Sequence, residues 1–188
     1  MAEQLTTERL LLRSWRQEDA EAALGVYGAA EVARWLSPAM DRVQDVSAMR
    51  LLLQQWEDED SRFIPPAGRW AIERREDKRL VGGAILLPLA PGADDLEMGW
   101  HLHPAAWGHG YATEAGRALA AWAFSQGIDE VLAVVRPANR RAEAAVRRIG
   151  MEWVGETEKY YHLRLQVYRL RPADLQPDRR DPAVGSGP

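Results

Sequence analysis

The sequence has no cysteine among its 188 residues, which excludes disulfides, thiol catalysis and cysteine-based metal sites. It has no apolar run of transmembrane length, and its first seven residues contain no apolar core of a signal peptide. It also lacks an excess of basic charge, since the formal net charge is −4, and this argues against nucleic acid as the main partner. We therefore expect a cytoplasmic protein with no metal, no nucleic-acid partner and no membrane partner.

The composition is that of a globular chain, with 46% hydrophobic residues and eight tryptophans, and the length suits one domain. The character changes at Pro172, because the last 17 residues hold four of the eleven prolines and few large apolar side chains. Such a segment cannot bury enough surface to offset the entropy that is lost on ordering. We predict one domain over residues 1–172 and a disordered tail over residues 173–188.

Hydrophobic periodicity predicts an alternation of strands and helices along this domain. The predicted strands are 9–14, 70–74, 80–87, 96–102, 131–135, 152–156 and 163–170, the last two antiparallel. The predicted helices begin at residue 18 and then cover 31–36, 43–57, 111–126 and 140–149. This order favours an α/β or α+β domain with one mixed sheet of about six to seven strands and helices on both faces.

A glycine-rich loop joins the strand at 96–102 to the helix at 111–126, and residues 107–115 read Trp-Gly-His-Gly-Tyr-Ala-Thr-Glu-Ala. A helix N-terminus after such a loop presents unpaired backbone N–H groups, and Gly108 and Gly110 let an anion approach the backbone closely. The loop therefore indicates a phosphate site, although an ordinary strand–helix connection explains it equally well. It is not a dinucleotide fingerprint, because Thr113 fills the place of the third small residue, and no P-loop sequence occurs in the chain.

Three segments, in this order, resemble the GNAT superfamily of N-acetyltransferases, and within it the RimJ/RimL-type branch that acetylates protein N-termini. They are residues 5–13 (Leu-Thr-Thr-Glu-Arg-Leu-Leu-Leu-Arg), the loop at 107–115, and residues 139–151. The family's cofactor signature is Arg/Gln-x-x-Gly-x-Gly/Ala, and here Trp107 stands in the Arg/Gln place. The resemblance implies a GNAT-like domain whose splayed cleft binds acetyl-CoA as co-substrate.

The resemblance also implies which residues hold acetyl-CoA. Backbone N–H groups of residues 108–113 would bind the pyrophosphate, and the free backbone of residues 100–102 would pair with the pantetheine amides. The implied cofactor-binding residues are Trp100, His101, Leu102, Trp107, Gly108, His109, Gly110, Tyr111, Ala112, Thr113, Asn139 and Arg140. Asn139 is equally suited to cap the helix that follows it. A basic group that would suit the 3′-phosphate, or simply form a solvated helix face, comprises Arg136, Arg140, Arg141, Arg147 and Arg148.

Acetyl transfer to an amine needs a base, because an ammonium group has no lone pair for attack. The strand at 96–102 alternates, so Glu97 and His101 share a face, about 13 Å apart if the strand is regular. Glu97 is the first candidate base, since a carboxyl beside an apolar cleft has its pKa raised toward neutrality. His101 is the second candidate. The alternative for Glu97 is a charged residue on an exposed strand face.

The group that protonates the departing CoA thiolate is missing from its usual places. Many relatives have a Tyr seven residues after the Asn or a Ser three residues after it, where this chain has Val146 and Ala142. Tyr160, Tyr161 or solvent would have to take that role. Three functions therefore stay open: acetylation of a protein N-terminus, acetylation of a small amine such as a polyamine or aminoglycoside, and acyl-CoA binding without turnover. A homodimer also stays open.

Overall fold

Eight strands form one mixed sheet in the computed structural model, which describes residues 2–90, 92–160 and 162–175. The strands are β1 (Leu5–Thr6), β2 (Leu10–Arg13), β3 (Gly68–Arg74), β4 (Leu80–Pro88), β5 (Leu96–Leu102), β6 (Val131–Val135), β7 (Glu152–Thr157) and β8 (Leu165–Leu170). Their order in the sheet is β1-β2-β3-β4-β5-β6-β8-β7. The helices are α1 (Ala20–Tyr27), α2 (Ala30–Leu36), α3 (Val46–Asp60), α4 (Tyr111–Ser125) and α5 (Arg140–Ile149).

The predicted fold class is confirmed, with one strand more than the six to seven expected. The extra strand is β1, whose two residues pair with β2 and are too few to show an alternating pattern. Helix α3 begins at Val46 and not at residue 43, because the Asp45 side chain accepts a hydrogen bond from the N–H of Ala48 and caps the helix there. The closing strands β7 and β8 are antiparallel, as predicted.

Helices cover both faces of the sheet, and the alternation along β3 shows how. Trp70 and Ile72 are fully buried in one core cluster, which contains the apolar faces of α4 and α5. Ala71 lies between them in sequence and belongs to a second cluster, formed with α1, α2 and α3. Because neighbouring residues of a strand point to opposite faces, α4 and α5 pack on one side and α1 to α3 on the other.

The sheet splits between β5 and β6, its only parallel neighbours among the described strands. These two strands have a single paired position, Glu97 with Leu132. On their other sides, β5 is paired with β4 along its whole length, and β6 is paired with β8 along its whole length. The backbone of β5 beyond Glu97 is therefore unpaired on the β6 side, which produces the expected splayed cleft.

The chain leaves the sheet through a short 3₁₀ turn, Pro172–Asp174, and Leu175 packs against the core beside α4 and α5. The disordered tail expected over residues 173–188 lies, from residue 176 onward, outside the described residues. Within the part of the chain that the structure describes, none of the helices has both the length and the apolar character that crossing a bilayer requires.

Candidate functional site

The glycine-rich loop turns sharply between β5 and α4. His103 caps a 3₁₀ turn at Pro104–Ala106, where its Nδ1 accepts a hydrogen bond of 3.0 Å from the N–H of Ala105. Gly108 and Gly110 then both adopt φ +80°, a conformation that costs a residue with a side chain roughly 1–2 kcal/mol. A Cβ on Gly108 would meet no atom within 4 Å. The glycines are thus required by the turn and leave open space beside it.

The N-terminus of α4 offers unpaired donors to that open space. The first intrahelical hydrogen bond runs from the N–H of Glu114 to the carbonyl of Gly110, over 3.1 Å. The N–H groups of residues 111–113 therefore have no intrahelical acceptor, and Gly110, the capping residue, has no side chain to supply one. Together with the helix dipole, these donors have the arrangement that favours an anion, and the anion site stays a prediction.

The N-terminal segment of the chain clamps this loop through Glu114. The carboxylate accepts hydrogen bonds from the Thr7 hydroxyl at 2.6 Å, the Arg9 N–H at 2.8 Å and the Arg9 guanidinium at 2.7 Å. The same guanidinium donates to the carbonyl of His109 at 2.8 Å. Burial raises the pKa of Glu114, but the bonds from Thr7 and Arg9 outweigh it and hold this pKa below its usual value. Glu114 thus ties the turn between β1 and β2 to the N-terminus of α4 and its loop.

A cleft of about 390 Å³ opens beside the loop, between the end of β5, α2 and α5. It is lined by eleven of the twelve residues expected to bind the cofactor, namely Trp100, His101, Leu102, Trp107, Gly108, Gly110, Tyr111, Ala112, Thr113, Asn139 and Arg140. The twelfth, His109, stacks its ring on Tyr111 and presents its carbonyl to Arg9. Helix α2 contributes Glu31, Val32, Trp35 and Leu36 to the lining, and no motif in the sequence had indicated it.

Asn139 caps α5, since its side-chain oxygen accepts a hydrogen bond from the N–H of Ala142 over 3.3 Å. Its amide NH₂ has no partner among the described residues and borders the cleft, so capping leaves it free to donate to a ligand.

The basic group divides into two parts. Arg140, Arg141 and Arg148 line the cleft, and the Arg141 guanidinium lies 3.8 Å from the ring centroid of Trp107. Arg136 instead donates to the carbonyls of Arg34 and Ser37, which anchors the end of α2. Arg147 does not line the cleft. Three of the five arginines therefore stand where a phosphate group could reach them.

A second cleft, of about 510 Å³, lies on the α1–α3 side of the split and meets the first at Trp35, Leu36, Trp100, His101, Asn139 and Ala142. Glu97 lines only this second cleft. The β4–β5 ladder has no bulge, so Glu97, Gly99 and His101 face the same way, opposite Leu87, Ile85 and Gly83 of β4. The alternation predicted for β5 thus brings both candidate bases to one cleft.

Glu97 is isolated from other polar groups. No hydrogen bond or ion pair to its carboxyl occurs within the described residues, and desolvation by burial raises its pKa from 4.5 to about 7. His101 has the opposite shift, because burial lowers its pKa to about 4 and so keeps the ring neutral at pH 7. Of the two candidates, only Glu97 has a pKa near neutrality, which is where a general base works best.

Positions 146 and 142, where many relatives have Tyr and Ser, contain no hydroxyl group in this chain. Val146 is fully buried in the core, and Ala142 lines both clefts with its methyl group. Tyr160 is not among the described residues that line either cleft. Tyr161 lies outside the described residues.

The tryptophans of the N-terminal half divide between the second cleft and the core. Trp15, Trp35 and Trp56 line that cleft. Trp70 is fully buried and donates its indole N–H to the carbonyl of Glu3 over 2.6 Å, so it is a core residue.

Comparisons with known proteins agree with this geometry. The chain matches the family model of the acetyltransferase (GNAT) domain over residues 9–152. It is 27% identical over 161 residues to the uncharacterized N-acetyltransferase YoaA of Bacillus subtilis (strain 168), an alignment that covers 84% of this chain and 88% of that protein.

Two similar solved structures extend the likeness to the fold. Mycobacterium smegmatis RimJ in complex with CoA-disulfide superposes with a TM-score of 0.79 at 18% identity, covering 94% of this chain and 90% of RimJ. The ribosomal-protein-S5-alanine acetyltransferase from Vibrio fischeri superposes with a TM-score of 0.72 at 16% identity, covering 93% and 100%. At these identities the likeness shows a shared fold.

Proposed function

The chain belongs to the acetyltransferase (GNAT) family, and from this premise we propose that it transfers the acetyl group of acetyl-CoA to one primary amine carried on an apolar group, with a protein N-terminus as the first candidate. The amine nitrogen attacks the thioester carbonyl carbon directly, the carbon–sulfur bond breaks, and CoA departs as a thiolate. The observation that carries the proposal is the isolated carboxyl of Glu97, which lies in a cleft that meets the phosphate-loop cleft at Trp100 and His101.

The first cleft fits acetyl-CoA in shape and in charge. The N–H groups of residues 111–113 suit the pyrophosphate, and Arg140, Arg141 and Arg148 suit the 3′-phosphate. The free edge of β5 beyond Glu97 suits the pantetheine amides, because an extended chain can pair there as an added strand. The thioester would then lie where the two clefts meet.

Glu97 acts as the general base in this proposal. At neutral pH a carboxyl with a pKa of about 7 is in part ionised, and its proton affinity is high enough to accept a proton from the attacking amine, directly or through water. Above that pKa the carboxylate predominates, so the rate rises with pH as Glu97 and the amine both lose their protons.

The acceptor class follows from the charges of the second cleft. Arg69 is paired with Glu59 at 2.7 Å and with Asp60 at 2.5 Å, and Arg136 donates to backbone carbonyls. Among the described charged residues that line this cleft, Glu97 alone has no partner. The Glu97 carboxylate would therefore balance the charge of one cationic amine but not the charge of a polycation. This favours a protein N-terminus over a polyamine or an aminoglycoside as the acceptor. The shared fold with RimJ and with a ribosomal-protein alanine acetyltransferase supports the same class.

A thiol-release assay with acetyl-CoA tests the proposal. The acceptors are peptides with an apolar first residue, the same peptides with a blocked N-terminus, spermidine and an aminoglycoside. We expect turnover with the free peptides alone, and a decrease of about 10²–10⁴-fold in Glu97→Gln that shrinks as pH rises. Turnover only with spermidine or the aminoglycoside would contradict the acceptor class. CoA binding without turnover on any amine would instead establish an acyl-CoA-binding module.

A further inference from the structure

His101 occupies the boundary between the two clefts and lines both of them. Because Val146 and Ala142 supply no hydroxyl, the proposed reaction lacks a side-chain donor near the thioester at the positions that many relatives use. Among the described residues that line both clefts, His101 alone has an ionisable side chain, so the protonation state of its imidazole decides what chemistry the boundary offers.

A tyrosine from α1 contacts this imidazole. The Tyr27 hydroxyl lies 3.3 Å from His101 Nδ1, and the two rings meet edge to face with centroids 5.6 Å apart. Trp15 and Trp56 hold the tyrosine ring, at centroid distances of 6.0 and 5.2 Å. Gly83 faces His101 across the β4–β5 ladder, and a Cβ there would come within 2.3 Å of the Tyr27 hydroxyl. The glycine therefore leaves the space in which the hydroxyl reaches Nδ1.

The hydrogen-bonding needs of the hydroxyl determine the tautomer. Tyr27 is 2% exposed, and burial raises the pKa of its hydroxyl well above the usual value, so the proton stays on oxygen. A buried hydroxyl donates where it can, and within the described residues His101 Nδ1 is the acceptor in reach. A neutral imidazole that accepts at Nδ1 has its proton on Nε2. No hydrogen bond from that N–H occurs among the described residues, and the His101 residue lines both clefts.

We propose that Tyr27 is a positioning residue that holds His101 as the Nε2–H tautomer, and that this N–H donates a hydrogen bond to the acetyl thioester while negative charge develops on it. The inference rests on the proposed function, since the thioester must lie where the clefts meet. No proton is transferred by His101: the amine proton goes to Glu97, and the thiolate leaves as such. The imidazole lowers the barrier by stabilising charge, as preorganised donors do in acyl transfer.

The tautomer is measured first, on the protein without ligand. Histidine labelled with ¹⁵N gives separate signals for protonated and unprotonated ring nitrogens, and the chain has four histidines, so His101→Gln identifies the signals of His101. We expect an unprotonated Nδ1 and a protonated Nε2 at pH 7, and a mixture of tautomers in Tyr27→Phe. A protonated Nδ1 in the native protein would overturn the proposal whether or not any amine is acetylated.

Kinetics then test what the tautomer does. Tyr27→Phe should lower kcat about fivefold to tenfold, the effect of one neutral hydrogen bond, with unchanged CoA affinity. The matched control is Tyr168→Phe, at a buried tyrosine of β8 that lines neither cleft, and it should leave kcat unchanged. His101→Leu should lower kcat about 10²-fold, the usual effect of losing a donor, while His101→Gln keeps an N–H near Nε2 and should retain most of the rate.

Three results separate this inference from the proposed function. Native kcat in Tyr27→Phe, or equal losses in the Gln and Leu variants of His101, would refute the donor role while acetyl transfer itself stands. Absence of turnover with every amine would refute the proposed function, and with it the donor role, and would leave only the tautomer assignment. A lower CoA affinity in Tyr27→Phe would make Tyr27 part of the cofactor site and would overturn its role as a positioning residue.

Discussion

Replacing Glu97 by Gln should stabilise the protein, and the gain should depend on pH. The native fold raises the pKa of this carboxyl from 4.5 to about 7, which corresponds to about 3.5 kcal/mol at roughly 1.4 kcal/mol per pKa unit. This is an upper bound, because water in the cleft stabilises part of the charge. Gln has nearly the same shape and never ionises, so the variant avoids the cost of holding a desolvated carboxylate.

The sign and the pH range of the effect follow from linkage. A carboxyl whose pKa is higher in the folded than in the unfolded protein stabilises the fold when it is protonated. This contribution is complete at pH values below the unfolded pKa, and it is lost as pH rises through the folded pKa. The stability difference between Glu97→Gln and the native protein should therefore be near zero below pH 4.5. It should grow between pH 4.5 and 7, and it should be constant above that range.

Urea unfolding of both proteins without ligand, at a series of pH values from 4.5 to 8.5, measures this difference. The control is Glu59→Gln, which removes a carboxylate from the same cleft but also breaks the ion pair with Arg69, and so should be neutral or slightly destabilising. A stability difference for Glu97→Gln that does not change with pH would show that the Glu97 carboxyl is solvated. The argument for Glu97 as general base would then lose its physical ground.

Two further predictions concern acetyl-CoA binding. Gly110→Val should abolish the rise in melting temperature that CoA causes, while Gly127→Val should keep it. The two glycines are matched, because both have φ near +80°, but Gly127 lies at the far end of α4. A rise in melting temperature with CoA in both variants would show that the loop does not bind phosphate. Arg141→Ala should weaken CoA binding by about 10- to 150-fold and reduce its salt dependence, since one charged hydrogen bond contributes about 1.5–3 kcal/mol, whereas Arg147→Ala should change neither. Titration calorimetry at two salt concentrations measures both effects, and equal losses in the two variants would contradict a specific phosphate contact.

The elements that could be predicted well are those with local signals. The bounds of β5, β6 and α5 were predicted exactly, because a strict alternation, a continuous apolar run and an Asn cap each lie within a few residues. The turn between β5 and α4 was predictable for the same reason, since its two glycines and the helix N-terminus are adjacent in sequence. Strand β1 was missed because two residues show no period.

The contacts that were not predicted join residues far apart in sequence. The bond from Thr7 to Glu114 spans 107 positions, and the contact of Tyr27 with His101 spans 74. Glu97 was predicted as the base from the alternation of β5, but its lack of polar partners depends on what α1, α2 and α3 place around it. No pattern within a single segment reports such an environment.

This difference between local and distant signals separates the two halves of the candidate site. The loop side of the first cleft follows from glycine positions and a helix start, which are local signals, whereas its lining from α2 had no such signal. The acceptor cleft is formed by side chains of α1, α2 and α3 against β5, and these helices have ordinary amphipathic sequences. A change in Trp35 or Trp56 would leave every family segment intact and still alter the lining of this cleft. If the amine binds there, as we propose, it is selected by residues that the motifs do not include.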